Sequence, residues 1–485
     1  MNRRKFLRAV GVGAASLAVP YIRRAAAQPR KPNIVFILAD DLGYGHLGCY
    51  GQEKILTPNI DRLAAEGMRF TQFYAGYTVC APSRSVLMTG LHTGHTPVRT
   101  NGGGASLWDD EVTVAEVLKQ AGYATGGFGK WGLGMGGTPG VPYKQGFDEF
   151  YGYYHQVHAH FYYPFWIWHN DQKMLLPGND NGKREQYVPD VLHEKAVEFI
   201  RTQAKRGRPF FCYIPTTIPH VELVVPEDSE RPYRGKFPKI TINDPRTGYI
   251  GSDDAYATYA GMVSRMDGNV GHILEVLREL GIEENTVVFF SSDNGPQLGP
   301  WKPLCDFFRG AGPLRGGKGG LYEGGIRVPF IARWPGKIKP GSVSEHIGGF
   351  QDIMPTLAEL AGVAPPKNDG LSIVPTLLGQ PERQREHDYL YWNTAGPQGP
   401  TAVRMGRWKG VKQRRKPWEL YDLDADIGET KDIAAEHPDI VAKMETIAQQ
   451  AYTPPRPRPE PPAGAKRPRI TDYVRGPRVT KKNAR

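Results

Sequence analysis

The sequence predicts an α/β fold, with a large central, mostly parallel sheet flanked by helices and a smaller C-terminal α+β part built from an antiparallel sheet and a helix. Three observations lead there. Apolar, β-branched runs alternate with helical patterns up to about residue 385, the order that produces parallel sheets. Those runs are hydrophobic almost without interruption, as strands covered on both faces must be. Beyond that point the runs shorten and turns become frequent.

The expected strands are Asn33–Ala39, Ala124–Phe128, Pro209–Pro215, Thr286–Ser292 and Val328–Trp334. Helices fill the intervals. One starts at Thr57 as N-cap with Pro58 in its first turn, and Gly67 ends it. Others are expected over Val112–Ala121, Val188–Lys205, Tyr256–Leu280 and Ile353–Ala361. Residues 28–385 thus form the large domain. In residues 386–452, short strands at Tyr389–Trp392, Ala402–Met405 and Trp418–Asp422 precede a helix at Pro438–Gln450. Residues 453–485 are rich in proline and basic residues, and a disordered or surface-draped tail is expected.

The net charge of +11 belongs to the two ends of the chain. Residues 1–27 hold six basic residues and no acid, residues 453–485 hold ten against two, and the body between carries 45 basic and 48 acidic residues. No basic folded face is left for nucleic acid. The N-terminus reads as an export signal: Arg3-Arg4-Lys5-Phe6-Leu7-Arg8 is a twin-arginine pattern, Ala9–Val19 is mildly apolar, and Ala25-Ala26-Ala27 offers a cleavage site. The expected destination is the periplasm or the exterior, through the twin-arginine machinery. The apolar run is too short for a stable membrane span. Four cysteines in so long a chain make no disulfide framework, and Cys212, inside Phe210–Ile214, reads as a buried structural thiol.

Chemistry gathers at the ends of the predicted strands. Asp40-Asp41 close the first, and Asp293-Asn294 close a later one. Three carboxylates and an amide oxygen make a hard, oxygen-only site suited to Ca2+ or Mg2+. Between them in sequence lies Cys80-Ala81-Pro82-Ser83-Arg84-Ser85, followed by Leu87-Met88-Thr89-Gly90. Lys130 stands in Gly129–Gly134, His220 follows Thr217-Ile218-Pro219, and Lys318 lies in the glycine-rich run Leu314–Gly325. A lysine alone is ordinary surface; the glycine-rich settings single these two out.

Cys80-x-Pro82-Ser83-Arg84 resembles the signature that directs oxidation of a cysteine to formylglycine in the sulfatase family. Asp40-Asp41, Asp293-Asn294 and the glycine-rich lysine segments fit that family in the same order, over roughly residues 30 to 430. The resemblance implies hydrolysis of sulfate esters by an aldehyde hydrate at position 80. One of its hydroxyls would attack sulfur, and the other would lose a proton to expel sulfate. It also implies a maturation enzyme that generates formylglycine. Ca2+ would be held by Asp40, Asp41, Asp293, Asn294 and the modified residue 80. Arg84 would contact that residue, Lys130 and Lys318 would bind the sulfate, and His220 would stand beside the leaving oxygen. Placing residue 80 at a helix N-terminus is expected to aim backbone N–H groups at the anion.

One departure stands out. Many members of the family carry, at the position of Gly132, the histidine that takes the proton releasing sulfate. Some bacterial relatives carry glycine there with a histidine–aromatic stretch downstream. Here that stretch is His155–Pro164, and His160, or else His158, is the expected substitute. Export and the aromatic segment from Tyr151 to Trp168 suit a sulfated carbohydrate substrate. Two other readings stay open: a phosphonate or phosphodiester hydrolase with the same nucleophile, and a non-catalytic sulfated-glycan-binding protein in which Cys80 is never oxidised.

Overall fold

The computed structural model of the protein describes residues 31–102, 105–243, 249–457 and 459. The expected export signal and nearly all of the basic tail lie outside the described residues. A ten-stranded sheet carries the molecule. Asn33–Ala39 lies near its centre, parallel to Phe210–Pro215 on one side and to Thr286–Ser292 on the other. Ala124–Lys130 and Glu149–Tyr153 extend the parallel array beyond Phe210–Pro215. All five expected strands form. The last, shortened to Phe330–Arg333, runs antiparallel to Thr286–Ser292, so the sheet is parallel at its centre and mixed at its edges. The far edge is an antiparallel ribbon, Trp166–His169 and Gln172–Leu175, inside the aromatic segment.

The central strand divides the core by the two-residue period of a pleated strand. Val35, Ile37 and Ala39 join one buried cluster, while Ile34, Phe36 and Leu38 join the other. Helices Val188–Arg206 and Ala255–Glu279 cover the first face, the former through Leu192, Ala196, Phe199 and Ile200 on a single helical stripe. Helices Cys80–Thr89, Val114–Gln120 and Ile353–Leu360 cover the second. Each large apolar side chain removed from water in this way contributes about 1.5–3 kcal/mol. Two-sided burial is therefore what keeps five parallel strands together.

Thr57 does occupy the N-cap position of helix Pro58–Ala65, but its hydroxyl does not cap. It accepts from the Gly48 N–H at 2.9 Å. The free N–H groups of Asn59 and Ile60 donate instead to the Asp267 carboxylate, at 3.0 and 2.7 Å, from the long helix Ala255–Glu279. A tertiary cap has replaced the local one, which no reading of neighbouring residues reveals.

The C-terminal part is a four-stranded antiparallel meander, Leu390–Asn393, Thr401–Met405, Trp408–Lys412 and Trp418–Asp422, backed by helix Pro438–Gln450. Trp408–Lys412 is one strand more than expected. It turns back through Gly406-Arg407, where Gly406 has φ +52°, and Gly410 leaves room for the buried Met444 of the helix. Lys409 from this strand is fully buried. Its Nζ lies 2.8 Å from Glu323 Oε1 and 3.5 Å from Glu429 Oε1, while Glu429 Oε2 accepts from the Glu323 N–H at 2.7 Å. Arg327 and Tyr74 also bind Glu323. Past the helix, Thr453 donates to the Gly94 carbonyl and Arg456 pairs with Asp110 at 2.9 Å.

Two predictions come from these buried charges. Lys409→Met leaves two buried carboxylates short of their cation, and a stability loss of about 3–5 kcal/mol is expected in chemical denaturation. Burial raises the Asp267 carboxyl to about 6 from its ordinary 3.8. A group raised on folding stabilises most at low pH and loses that contribution as pH climbs through its folded value. Wild type is thus expected to lose about 2 kcal/mol relative to Asp267→Asn between pH 4 and 7, read from urea unfolding at each pH.

Candidate active site

The parallel strands deliver their C-terminal ends to one place, the usual location of a site in such a sheet. Asp40 and Asp41 follow Asn33–Ala39 directly, and Asp293 and Asn294 follow Thr286–Ser292. Asp41 bends in the left-handed region at φ +65°, which lets its N–H donate to Asp293 Oδ1 at 3.2 Å. Lys130 is the last residue of its strand, and His220 lies in the loop after Phe210–Pro215. Cys80 opens helix Cys80–Thr89, and its Sγ lies 3.4 Å from Asp40 Oδ1 and 3.9 Å from Asp41 Oδ1. Residues from five separate stretches of sequence thus meet within a few ångströms.

Three carboxylates face three cations here, all buried or nearly so. Arg84 donates from Nε and Nη2 to Asp293 Oδ2 at 3.0 and 2.7 Å, and from Nη1 to the Lys130 carbonyl at 2.5 Å. Lys130 Nζ sits 2.7 Å from Asp40 Oδ2, and Lys318 Nζ sits 2.7 Å from Asp41 Oδ2. Burial alone would push the Asp40 carboxyl up, but Lys130, His220 and Arg84 together hold it well below the usual range. Asp41 and Asp293 are both raised, by burial first, and for Asp293 next by the neighbouring Asp40 charge. Burial also lifts the Cys80 thiol to about 12, so an unmodified sulfur here is a poor nucleophile.

The amide of Asn294 is half satisfied. Its Nδ2 donates to Asp41 Oδ1 at 2.7 Å and to the Gly295 carbonyl, whereas Oδ1 has no hydrogen-bond partner among the described residues. A buried acceptor without a donor, at the rim of three carboxylates, is what a cation site presents. Ligand atoms of Asp40, Asp41, Cys80 and His220 all lie within 4.8 Å of one another. With Asp293 and the open Asn294 Oδ1 beside them, the donors are mostly oxygen and fit a hard divalent ion.

The sulfatase family model matches residues 32–363, and a second, described as N-sulphoglucosamine sulphohydrolase, C-terminal, matches residues 317–452. The chain belongs to the sulfatase family. It is thereby a sulfuric ester hydrolase. It shares 34% identity over 417 residues with N-acetylgalactosamine-6-sulfatase of the dog, Canis lupus familiaris, across 79% of this chain and 72% of that one. With N-acetylgalactosamine-6-O-sulfatase of Bacteroides thetaiotaomicron the identity is 30% over 513 residues, across 87% and 94% of the two chains. The crystal structure of Ps i-CgsB in complex with k-i-k-neocarrahexaose has a TM-score of 0.72 at 29% identity, covering 87% of this chain and 94% of that one.

The two histidines expected to replace the one missing at Gly132 separate. His158 is buried against Tyr153 and Trp166, with Nε2 at 2.9 Å from the Trp166 carbonyl, and burial lowers it to about 3. That is a structural position. His160 stacks on His220, ring centroids 4.3 Å apart at 19°, and its Nδ1 lies 2.5 Å from the Tyr249 hydroxyl. His220 Nδ1 lies 2.9 Å from the Val221 carbonyl, and Lys318 Nζ is 3.1 Å from Nε2. The ring nitrogen facing the cations is therefore Nε2, with the Nδ1 proton committed to backbone.

Several neighbours escaped the sequence. Asn101 Oδ1 accepts from the Ala81 N–H at 2.8 Å, Pro82 has no N–H, and Ser83 N–H donates to the Val79 carbonyl. The helix N-terminus thus offers an anion less than its position suggested, and the cationic side chains carry the positive field. Gln297 reaches Lys318, and Tyr249 braces His160. Gln156 occupies the space that any side chain at Gly132 would need: a Cβ there would meet its Nε2 at 2.2 Å, and Gly132 has φ +84°. Both amide atoms of Gln156 are buried without a hydrogen-bond partner among the described residues. None of these four carries a local sequence signal.

Gly132→Ala is expected to cost about 1–2 kcal/mol from the left-handed backbone alone, with the Gln156 clash added. Gln156→Ala removes only the clash. Unfolding of the double variant should therefore show a loss smaller than the sum of the single variants, by about 0.5 kcal/mol or more; strict additivity would remove the contact from the account.

Proposed function

We propose that the protein hydrolyses a sulfate ester of a sulfated carbohydrate through a formylglycine hydrate formed from Cys80, with Ca2+ in the adjoining oxygen site. The observation that carries this reading is the placement of Cys80: a buried thiol 3.4 Å from Asp40, inside a ring of three carboxylates and three cations, with Asn294 Oδ1 left open. A thiol has no use for such surroundings. A hydrated aldehyde and an anionic ester do.

Asp40, Asp41, Asp293 and Asn294 would hold the ion, which would polarise the sulfate and draw off negative charge. Arg84 fixes Asp293 with two hydrogen bonds and pins the Lys130 carbonyl, so the ligand geometry is set before substrate arrives. Lys130 and Lys318, each already against a carboxylate, are placed to donate to sulfate oxygens as second partners. His220 offers Nε2 to the leaving oxygen while the Val221 carbonyl holds its other nitrogen. His160, stacked on His220 and braced by Tyr249, is the residue we assign to the role lost at Gly132, as base or as substrate contact. The names of the relatives, two of them N-acetylgalactosamine-6-sulfatases, support a carbohydrate substrate. The twin-arginine N-terminus supports export to the periplasm or beyond, with maturation by a formylglycine-generating enzyme.

Intact-peptide mass spectrometry across Cys80, on protein from a host with the maturation machinery, is expected to show the thiol replaced by an aldehyde. Turnover of sulfated sugars should fall to background in Cys80→Ala and drop about 100-fold or more in His160→Ala, with His158→Ala near wild type. Dialysis against EGTA should abolish activity and Ca2+ should restore it. An unmodified thiol, or full activity after chelation, would overturn the reading.

A further inference from the structure

The hairpin turn at Gln413–Pro417 borders a second cavity, of about 510 Å3, between the C-terminal sheet and the end of helix Pro438–Gln450. That volume suits one or two sugar units. Arg414 and Arg415 line it, both exposed, and neither enters an ion pair among the described residues. Arg415 has φ +59°, so the turn sets the direction in which its side chain leaves the backbone. The acid in the wall is already neutralised. Glu445 takes Lys412 Nζ at 2.7 Å and the Trp418 indole N–H at 2.5 Å. What remains unpaired is cationic, and around it stand the amides of Gln398, Gln413 and Gln449 and the ring of Tyr452. Amides serve hydroxyls, an aromatic ring serves the face of a pyranose, and a guanidinium fork serves sulfate or carboxylate.

The cavity is tied to the segments that flank Cys80. Tyr77, three residues ahead of Cys80, bonds both the Arg99 carbonyl, at 3.1 Å, and the backbone at Ala395 in the turn leading to Gln398. Arg99 lies over the Tyr452 ring at 5.3 Å, and Asn101, two residues on, holds the Ala81 N–H. Wall and nucleophile thus share one support.

We propose that this cavity binds an anionic sugar unit of an oligomeric substrate, one bearing sulfate or carboxylate, at a distance from the ester being cleaved. The inference rests on the carbohydrate-sulfatase reading above, and its test separates the two. Hexasaccharides of sulfated galactan, chondroitin sulfate and heparan sulfate are titrated calorimetrically into the full-length Cys80→Ala protein, which reports binding whether or not any ester is turned over. At least one is expected to bind, and Arg414→Ala/Arg415→Gly, glycine suiting the left-handed turn, should weaken it about tenfold or more, as loss of two charge-assisted contacts implies. In the active enzyme the same pair of substitutions should raise KM for that hexasaccharide by a similar factor and leave kcat, and kcat/KM for a sulfated monosaccharide, within about twofold. Arg414→Glu should weaken binding further. Binding untouched by these substitutions, no binding of any of the three, or an equal loss on the monosaccharide would each overturn the proposal. Absence of turnover with binding intact would count against the sulfatase reading alone.

Discussion

Burying Asp40, Asp41 and Asp293 together at the ends of two adjacent parallel strands is the constraint on which the rest of the site depends. All three carboxylates are at most 2% exposed. Left to themselves they would repel one another and take up protons, as the raised Asp41 and Asp293 show. Three cations from distant parts of the chain answer them: Arg84 from the helix that begins with Cys80, Lys130 from a neighbouring strand end, and Lys318 from a glycine-rich loop. Because each cation is itself buried or nearly so, none tolerates being left alone. The carboxylates and cations therefore fix one another's positions, and Cys80, four residues before Arg84 on the same helix, is fixed with them.

Lys318 is the least anchored of the three by its own backbone, since Leu314–Gly325 is half glycine. Its rigidity comes from outside. Glu323, near the end of that loop, is bonded to Lys409 and backed by the Glu429 carboxylate, both from the C-terminal part. Gly324 and Gly325 permit approaches no side chain would allow: a Cβ on Gly325 would meet the Gly320 carbonyl oxygen at 2.1 Å. The loop folds tightly on itself because of its glycines, and it stays in place because a buried ion cluster ties it to the small sheet. The C-terminal part thus serves the site without contributing a reacting group to it.

Much of this was legible in the sequence, for a definite reason. The central strands announce themselves because burial on both faces leaves no polar position, and the candidate site segments sit at their ends, where side chains are free of packing duty. Asp40-Asp41, Cys80 to Arg84 and Asp293-Asn294 could be read as one site because each lies in a recognisable local pattern. What was not legible depends on partners far away in the chain. Asp267 caps a helix about 200 residues distant, and Asn101 consumes the N–H expected to face the anion. Trp408–Lys412 hid as a strand because Lys409 is a charge in a buried row, which makes sense only once Glu323 is seen beside it. His158 and His160 have equal claims in sequence, two residues apart. The turn at His158–His160 sends one into the aromatic wall and the other onto His220.

Gly132 and the Gln156 side chain are fitted to one another. With φ at +84°, the backbone there disfavours any side chain, and the Gln156 amide fills the volume that one would take. A histidine could return at this position only if both the backbone and Gln156 moved. The Gln156–His160 segment lies against this strand end: Gln156 fills the gap while His160, a turn later, lies flat against His220. Gln156 and His160 sit on one stretch of chain, four residues apart. Under the proposed role of His160, a side chain at position 132 would first have to displace Gln156, the residue four before His160 on the same segment.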